Sequence, residues 1–349
     1  MRLDDLHDRA LRRLQPEVAE HFDQGAGAGL SVGEAAAAWD RMRLRPRVLR
    51  DVSRVSTAAT VLGHQLATPV MVSSTSMQRA AHPDGEVATA RAAAAAGSLM
   101  EVSTNSGSKF AEIGATGVPW WLQVYVLRDR GLTRSILERA VEAGASALVL
   151  TVDTAIVGRK HNVGKTVWEV VPEDYLLVNI EGATVPADGL DKADDLTPEI
   201  IGWLRDATGL PVVVKGVLRA DDARIAVAAG ASAVQVSNHG GRQLDLAVST
   251  AEALPELAAA LAGSGAEVYV DGGIRRAEHV LAALALGATG VFIGRPVLWA
   301  LAAGGTSGQG GCDGVLDLLR EFTDELGHVM MLAGARSISE LTPDLVVRR

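Results

Sequence analysis

Eight short apolar segments, separated by stretches of helical length, constrain this 349-residue chain more than any other feature. They are TPVMVSS (68–74), SLMEVST (98–104), PWWLQVYV (119–126), ALVLTVD (147–153), PVVVKGV (211–217), AVQVSN (233–238), EVYVDGG (267–273) and GVFIGRP (290–296). Their apolar residues run almost without interruption instead of alternating, as parallel strands covered on both faces require. Between them lie helical patterns such as GEVATARAAAAAG, LTRSILERAVEAG and RAEHVLAALALG. Several of these close on glycine, which ends a helix in the left-handed conformation. The alternation predicts an α/β fold, a (β/α)8 TIM barrel. A doubly wound sheet is the alternative, but it commonly has fewer strands and a GxGxxG turn after the first, and none follows VMVSS.

Two segments fall outside the alternation. Residues 1–67 precede the first strand and read as an N-terminal helical cap. Residues 155–197 form a long insert after strand four, on the C-terminal face where barrel active sites are built, and read as a lid. The whole chain, 1–349, is read as one barrel domain. Trp120 and Trp121 are expected in the core in preference to an interface.

Composition narrows the function. Lys and Arg number 33 against 42 Asp and Glu, a net charge of −9, which argues against a general nucleic-acid partner and leaves room for a local phosphate pocket. Cys312 is the one cysteine, so no internal disulfide and no cysteine-rich zinc site forms, and no metal site is expected. The charged N-terminus lacks the apolar run of a signal peptide, and VLAALALGATGVFIG (280–294) is short for a membrane span. A cytoplasmic protein with no membrane partner is expected.

Chemistry-bearing residues gather where strands end. Gln123 and Tyr125 lie in the third, Thr151 and Asp153 close the fourth, and Lys215 lies in the fifth. Ser237, Asn238, His239 and Arg242 follow the sixth, Asp271, Gly273 and Arg275 the seventh, and Gly294 and Arg295 the eighth. DGGIRR with IGRPV reads as a phosphate site, since glycines let amides approach an anion and arginines add charge-assisted bonds. The alternative is a tight turn with surface arginines. His239 between Asn238 and two glycines suits a general base. Asp153 is placed to orient it and raise its pKa, or equally to cap a helix. Lys215 suits a Schiff base, a phosphate or a negatively charged cofactor ring, and spacing does not choose.

SNHGGRQLD (237–245), with VKGV, VDGGIRR, IGRPV and AAHPDGEVATARAAAAAG (80–97), resembles the FMN-dependent 2-hydroxy acid oxidase and dehydrogenase family, the glycolate oxidase, lactate oxidase and mandelate dehydrogenase type. The resemblance runs from about residue 20 to 335. It implies an FMN enzyme that oxidises a small-molecule 2-hydroxy acid and passes electrons to oxygen or another acceptor. It also implies a homo-oligomer, tetramer or octamer. In that family pattern the phosphate meets Gly273, Arg275, Gly294 and Arg295. Thr75, Ser103, Gln123, Thr151 and Ser237 bond the ring or ribityl chain, and Asp271 belongs to the same cofactor set. Lys215 stabilises the reduced ring, His239 is the base with Asp153 behind it, Arg242 binds the carboxylate and Tyr125 the substrate oxygen.

Departures fall mainly on the substrate side. The family's GRR is Gly158-Arg159-Lys160, which keeps charge and loses the bidentate fork. His21 or Phe22 replaces a tyrosine in EHFDQGAGAG, Asn105 stands where glycolate oxidase has a bulky aromatic, and the turn after strand one is Ser74-Thr75-Ser76. Either these are tolerated in an ordinary hydroxy acid oxidase, or the substrate is a larger, atypical alcohol. A barrel that has lost catalysis is disfavoured by His239 and Arg242. An aldolase using a Lys215 Schiff base leaves SNHGGR unexplained.

Overall fold

The computed structural model describes residues 3–161, 166–172, 175, 178–180, 190–304 and 310–348. All eight expected strands are present: β1 Val70–Val72, β2 Met100–Ser103, β3 Trp120–Val124, β4 Leu148–Thr151, β5 Val212–Val217, β6 Ala233–Val236, β7 Glu267–Val270 and β8 Gly290–Ile293. They pair in parallel and in chain order, and β8 closes on β1 with Val291 opposite Val70. This is the TIM barrel that the apolar pattern predicts.

The six expected helices surround it, at Gly85–Ala95, Arg130–Glu142, Glu199–Thr208, Ala220–Ala228, Thr250–Leu261 and Ala277–Ala285. Arg130–Glu142 shows the local logic. Asp129 caps it by accepting from the Leu132 amide at 3.0 Å, and its buried Leu132, Ile136, Leu137 and Ala140 form one stripe against the barrel. Gly209 ends the Glu199 helix at φ +72, a conformation that costs glycine little. Phe110–Gly114, Arg295–Ala303 and Gly310–Ala333 add helices beyond those expected.

Inside the barrel, successive inward positions two residues apart form layers. The lower layer is apolar: Met71, Trp121, Val149, Val213, Tyr269 and Phe292 pack together, plugged from below by Val61 and Leu66 of the hairpin Ala59–Val61 and His64–Leu66. Trp121 lies 5.4 Å from Tyr269 and 5.8 Å from Phe292, ring to ring. Trp120 points outward, 5.7 Å from Phe110, so both tryptophans belong to the core. Two residues further along the same strands the layer turns polar, with Ser73, Glu101, Gln123, Thr151, Lys215, Gln235 and Asp271 all buried.

The N-terminal 67 residues supply helices Leu3–Leu11, Pro16–Asp23 and Leu30–Asp40. Trp39 Nε1 donates to the Gly272 carbonyl at 2.8 Å and fastens the third of these beside the end of β7. Of the expected 155–197 lid, residues 162–165, 173–174, 176–177 and 181–189 lie outside the described residues. Its described parts reach the C-terminal mouth, where Lys192 forms a bridge with Leu127 just past β3. Among the described residues, no helix is long and apolar enough to cross a membrane.

Candidate active site

A cavity of about 920 Å³ opens at the C-terminal mouth. Thr75, Ser103, Gln123, Thr151, Lys215 and Asp271 line one part of it, and Gly273, Arg275, Gly294 and Arg295 another. Ser103 donates to Gln123 Oε1 at 3.1 Å, and Gln123 Nε2 donates to Thr151 Oγ1 at 2.9 Å, so three strand ends hold one fixed polar chain. Lys215 Nζ lies 2.9 Å from Asp271 Oδ2 and donates to Ser237 Oγ at 2.8 Å. Burial works against its charge, yet the carboxylates of Asp271, Asp153 and Glu101 hold its pKa above the ordinary value. Burial also raises Glu101, to about 7.

The resemblance assigns Ser237 to the cofactor set, and the structure places its hydroxyl between Lys215 and Asp271. It is wholly buried, and its hydroxyl accepts from Lys215 and donates to Asp271 Oδ1 at 2.7 Å. Asp271 reaches the cavity, but its two oxygens are engaged by Ser237, Lys215 and Gln235. Both residues fix the ammonium of Lys215 in place.

His239 Nδ1 sits 2.9 Å from Asp153 Oδ1. Donation from Nδ1 to the carboxylate leaves Nε2 as the basic nitrogen, a tautomer inferred from the hydrogen bond. No helix follows Asp153, so the capping alternative falls away. The expected rise in the His239 pKa is corrected by the structure: desolvation outweighs the attraction of Asp153 and the net shift is downward. The histidine backbone has φ +56, an uncommon conformation for a side-chain-bearing residue. It is held there by its amide bond to Ser237 Oγ at 3.1 Å and by Asn238 Oδ1, which accepts from the Gly241 amide at 3.2 Å. At Gly241, φ is +75 and a Cβ would fall 2.7 Å from the Val32 amide nitrogen, so glycine lets the N-terminal segment close on the site.

The substrate-side residues line an adjoining cavity of about 1020 Å³ that shares His21, Tyr125, His239 and Arg242 with the first. Arg242 donates one Nη to the carbonyls of His21 at 2.7 Å and Gln24 at 3.0 Å. Arg295 similarly holds the Phe22 carbonyl at 2.9 Å and the Gly240 carbonyl at 2.9 Å. These bonds satisfy the open carbonyls at the end of helix Pro16–Asp23 and dock it over the mouth. His21 thus faces the cavity, while Phe22 is buried in an apolar cluster with Met77 and Leu298. Burial, then Arg242 and Lys160, push the His21 pKa down to about 3, so it is neutral. Lys160 and Asn105 line the adjoining cavity. Burial raises the Tyr125 pKa to about 12, leaving a neutral phenol.

Comparison with known proteins decides the assignment. The family model for FMN-dependent dehydrogenases matches residues 10–348. The chain belongs to the FMN-dependent dehydrogenase family. It is 41% identical to glycolate oxidase 1 of Oryza sativa subsp. indica, covering 95% of this chain and 92% of that one. It is 42% identical to an L-lactate oxidase of a Nostoc strain, covering 95% and 94%. A solved mandelate oxidase with (S)-4-hydroxymandelic acid superposes with a TM-score of 0.89 at 39% identity, covering 99% and 98%. Like its relatives, this family member is an FMN-dependent oxidoreductase.

The cavity fits FMN on its own geometry. Arg275 and Arg295 converge on it, and neither has a carboxylate within 4 Å among the described residues. Burial lowers the pKa of both, and repulsion from Arg242 and then Arg275 lowers Arg295 further, an arrangement that an anion relieves. Gly273 has φ +79, and a Cβ there would meet the Ala35 carbonyl at 2.3 Å, so only glycine keeps this backbone at the anion pocket. Gly294 leads into the Arg295 helix, whose first amides add donors.

Several lining residues escaped sequence reasoning. Ser73, Ile274 and Leu298 face the first cavity, and Thr166, Trp168, Lys192 and Gln243 the second. Ser73 and Ile274 adjoin strand ends already singled out. Lys192 carried no signal, because an antiparallel bridge formed only in the folded chain brings it to Tyr125.

Proposed function

We propose that this enzyme oxidises a 2-hydroxy acid to the 2-oxo acid. The observation that carries the reading is the His239–Asp153 pair, at 2.9 Å, set beside Arg242 where the two cavities meet. Arg242 takes the substrate carboxylate with the guanidinium nitrogens not spent on the helix carbonyls, and Lys160 lines the same cavity. Tyr125, a neutral phenol, donates to the substrate oxygen. His239 Nε2 takes a proton, and Asp153 stabilises the imidazolium that forms. FMN, when bound, accepts the electron pair released as the alcohol becomes a ketone. Gly273, Arg275, Gly294 and Arg295 would hold its phosphate, and Thr75, Ser103, Gln123 and Thr151 would bond the remainder. Lys215, locked by Asp271, sets positive charge where negative charge develops.

Oxygen is the proposed final acceptor. Exposed Ile156, Leu244 and Leu246 support a homo-oligomer, as large apolar side chains at a surface commonly mark an interface. The replacement by His21, Lys160 and Asn105, all lining the second cavity, favours one further reading, a larger or atypical substrate.

An anaerobic spectral titration with glycolate, lactate, mandelate and larger 2-hydroxy acids tests the reading. The expected result is a yellow protein bleached by at least one of them. A yellow protein that none bleaches shifts the assignment to the larger substrate. Colourless protein that does not take up FMN overturns the cofactor site.

A further inference from the structure

The substrate side holds more positive charge than one carboxylate uses. Lys192 Nζ lies 3.6 Å from the centroid of the Tyr125 ring. Lys160 Nζ meets the Gly158 carbonyl at 3.2 Å. Neither lysine, nor Arg242, has a carboxylate within 4 Å among the described residues. All three line the same cavity. Glu17 and Glu20 also face it from helix Pro16–Asp23 and pair with neither lysine. The Asp153 carboxylate that attracts Lys192 bonds His239 through Oδ1 and lies beyond ion-pair distance of Lys192. Burial pulls the Lys192 pKa down to about 8, and repulsion from Lys160 acts in the same direction.

A 2-hydroxy acid with one carboxylate occupies Arg242, because that arginine adjoins the base. Lys192 and the partly buried Lys160 then have no carboxylate within 4 Å among the described residues, an arrangement that an anion joining them relieves. Asn105, small and polar, lines the same space, so nothing bulky at that position blocks a longer substituent. We infer that the substrate is a 2-hydroxy dicarboxylate whose second acid group is bound by Lys192 together with Lys160. This rests on the 2-hydroxy acid oxidation proposed above and assigns Lys192 as its specificity residue.

The test uses the FMN-loaded enzyme and pairs of acids matched in chain length, lactate with malate and 2-hydroxypentanoate with 2-hydroxyglutarate. The diacid of at least one pair is expected to reduce the flavin with kcat/KM about tenfold above its monoacid, or about 1.4 kcal/mol. Lys192→Met abolishes the preference and Lys192→Arg keeps it, which separates charge from folding. Binding gives a readout without turnover. Trp168 is 57% exposed in this cavity, and its fluorescence, identified with a Trp168→Phe control, reports occupancy by a 2-oxo diacid. Lys192→Met weakens that binding about tenfold more than it weakens binding of a 2-oxo monoacid. Flavin reduction by monoacids with no diacid preference overturns the inference and leaves the oxidation reading standing. Failure of every 2-hydroxy acid to reduce the flavin overturns both.

Discussion

The two sides of the barrel mouth are built differently. On the cofactor side, Gln123, Thr151, Lys215 and Arg295 stand in or directly after strands, and the barrel's own hydrogen bonds fix their spacing. On the substrate side, His21 comes from the N-terminal extension, and Lys160 and Lys192 come from two ends of the insert. Arg242 and Arg295 bind the two sides together through the carbonyls of residues 21–24. On the proposed reading, strand ends supply the cofactor contacts, whereas segments laid over the barrel meet the substrate. Changes on the first side should affect cofactor content, and changes on the second should affect selectivity.

The sharpest probe sits on the seam. His239→Ala is expected to slow anaerobic flavin reduction by about 10³-fold, within the range of a lost general base. FMN content, measured after denaturation, stays at the wild-type level. Wild-type reduction would remove His239 from the mechanism. On the cofactor side, Arg295→Met is expected to weaken FMN binding by about 100-fold, the scale of a lost hydrogen bond to a charged group. It also removes the donor that holds the Phe22 carbonyl, so equilibrium dialysis should accompany proteolysis of the N-terminal extension. Undiminished FMN affinity would exclude Arg295 from the phosphate site.

Asp153→Asn tests the electrostatics of the base. Only neutral His239 accepts a proton, and its pKa lies below 6.5, so the acid limb of kcat/KM is expected below that pH. Asp153 pulls this pKa upward, so removing its charge moves the limb lower still, with a rate loss of about tenfold. A limb that moves upward, or stays put, contradicts the pairing seen at 2.9 Å.

The order in which these features became legible follows their physical origin. Buried parallel strands need continuous apolar runs, so all eight barrel strands stood out. The inward period of two then carries Trp121 in the apolar plug and Gln123 in the polar layer above it. SNHGGR was legible because three successive residues, His239, Gly240 and Gly241, must adopt positive φ to present the base. Lys192 was not, since its position depends on a bridge to a distant strand end. The sign of the His239 shift was hidden for a related reason. Sequence showed its charge partner, but burial depends on everything packed around it. Ser237 entered the cofactor set through the resemblance, and its bonds to Lys215 and Asp271 became visible only in the folded chain.

The smallest expected effect tests the substrate side alone. Lys160→Arg restores the planar fork that the GRR pattern carries, at a position where the ammonium, among the described residues, bonds the Gly158 carbonyl alone. Two parallel bonds to a carboxylate replace a point charge, and a net gain of about 1 kcal/mol corresponds to about fivefold in affinity. Because the carboxylate is bound in both ground and transition states, the gain should appear as a lower KM with little change in kcat. It should favour monoacids more than diacids, since an arginine committed to the first carboxylate leaves Lys192 to hold the second alone. Steady-state kinetics on matched acid pairs decides the point. An equal gain for both would mean that Lys160 serves the first carboxylate only, and the substrate side would then distinguish acids through Lys192 by itself.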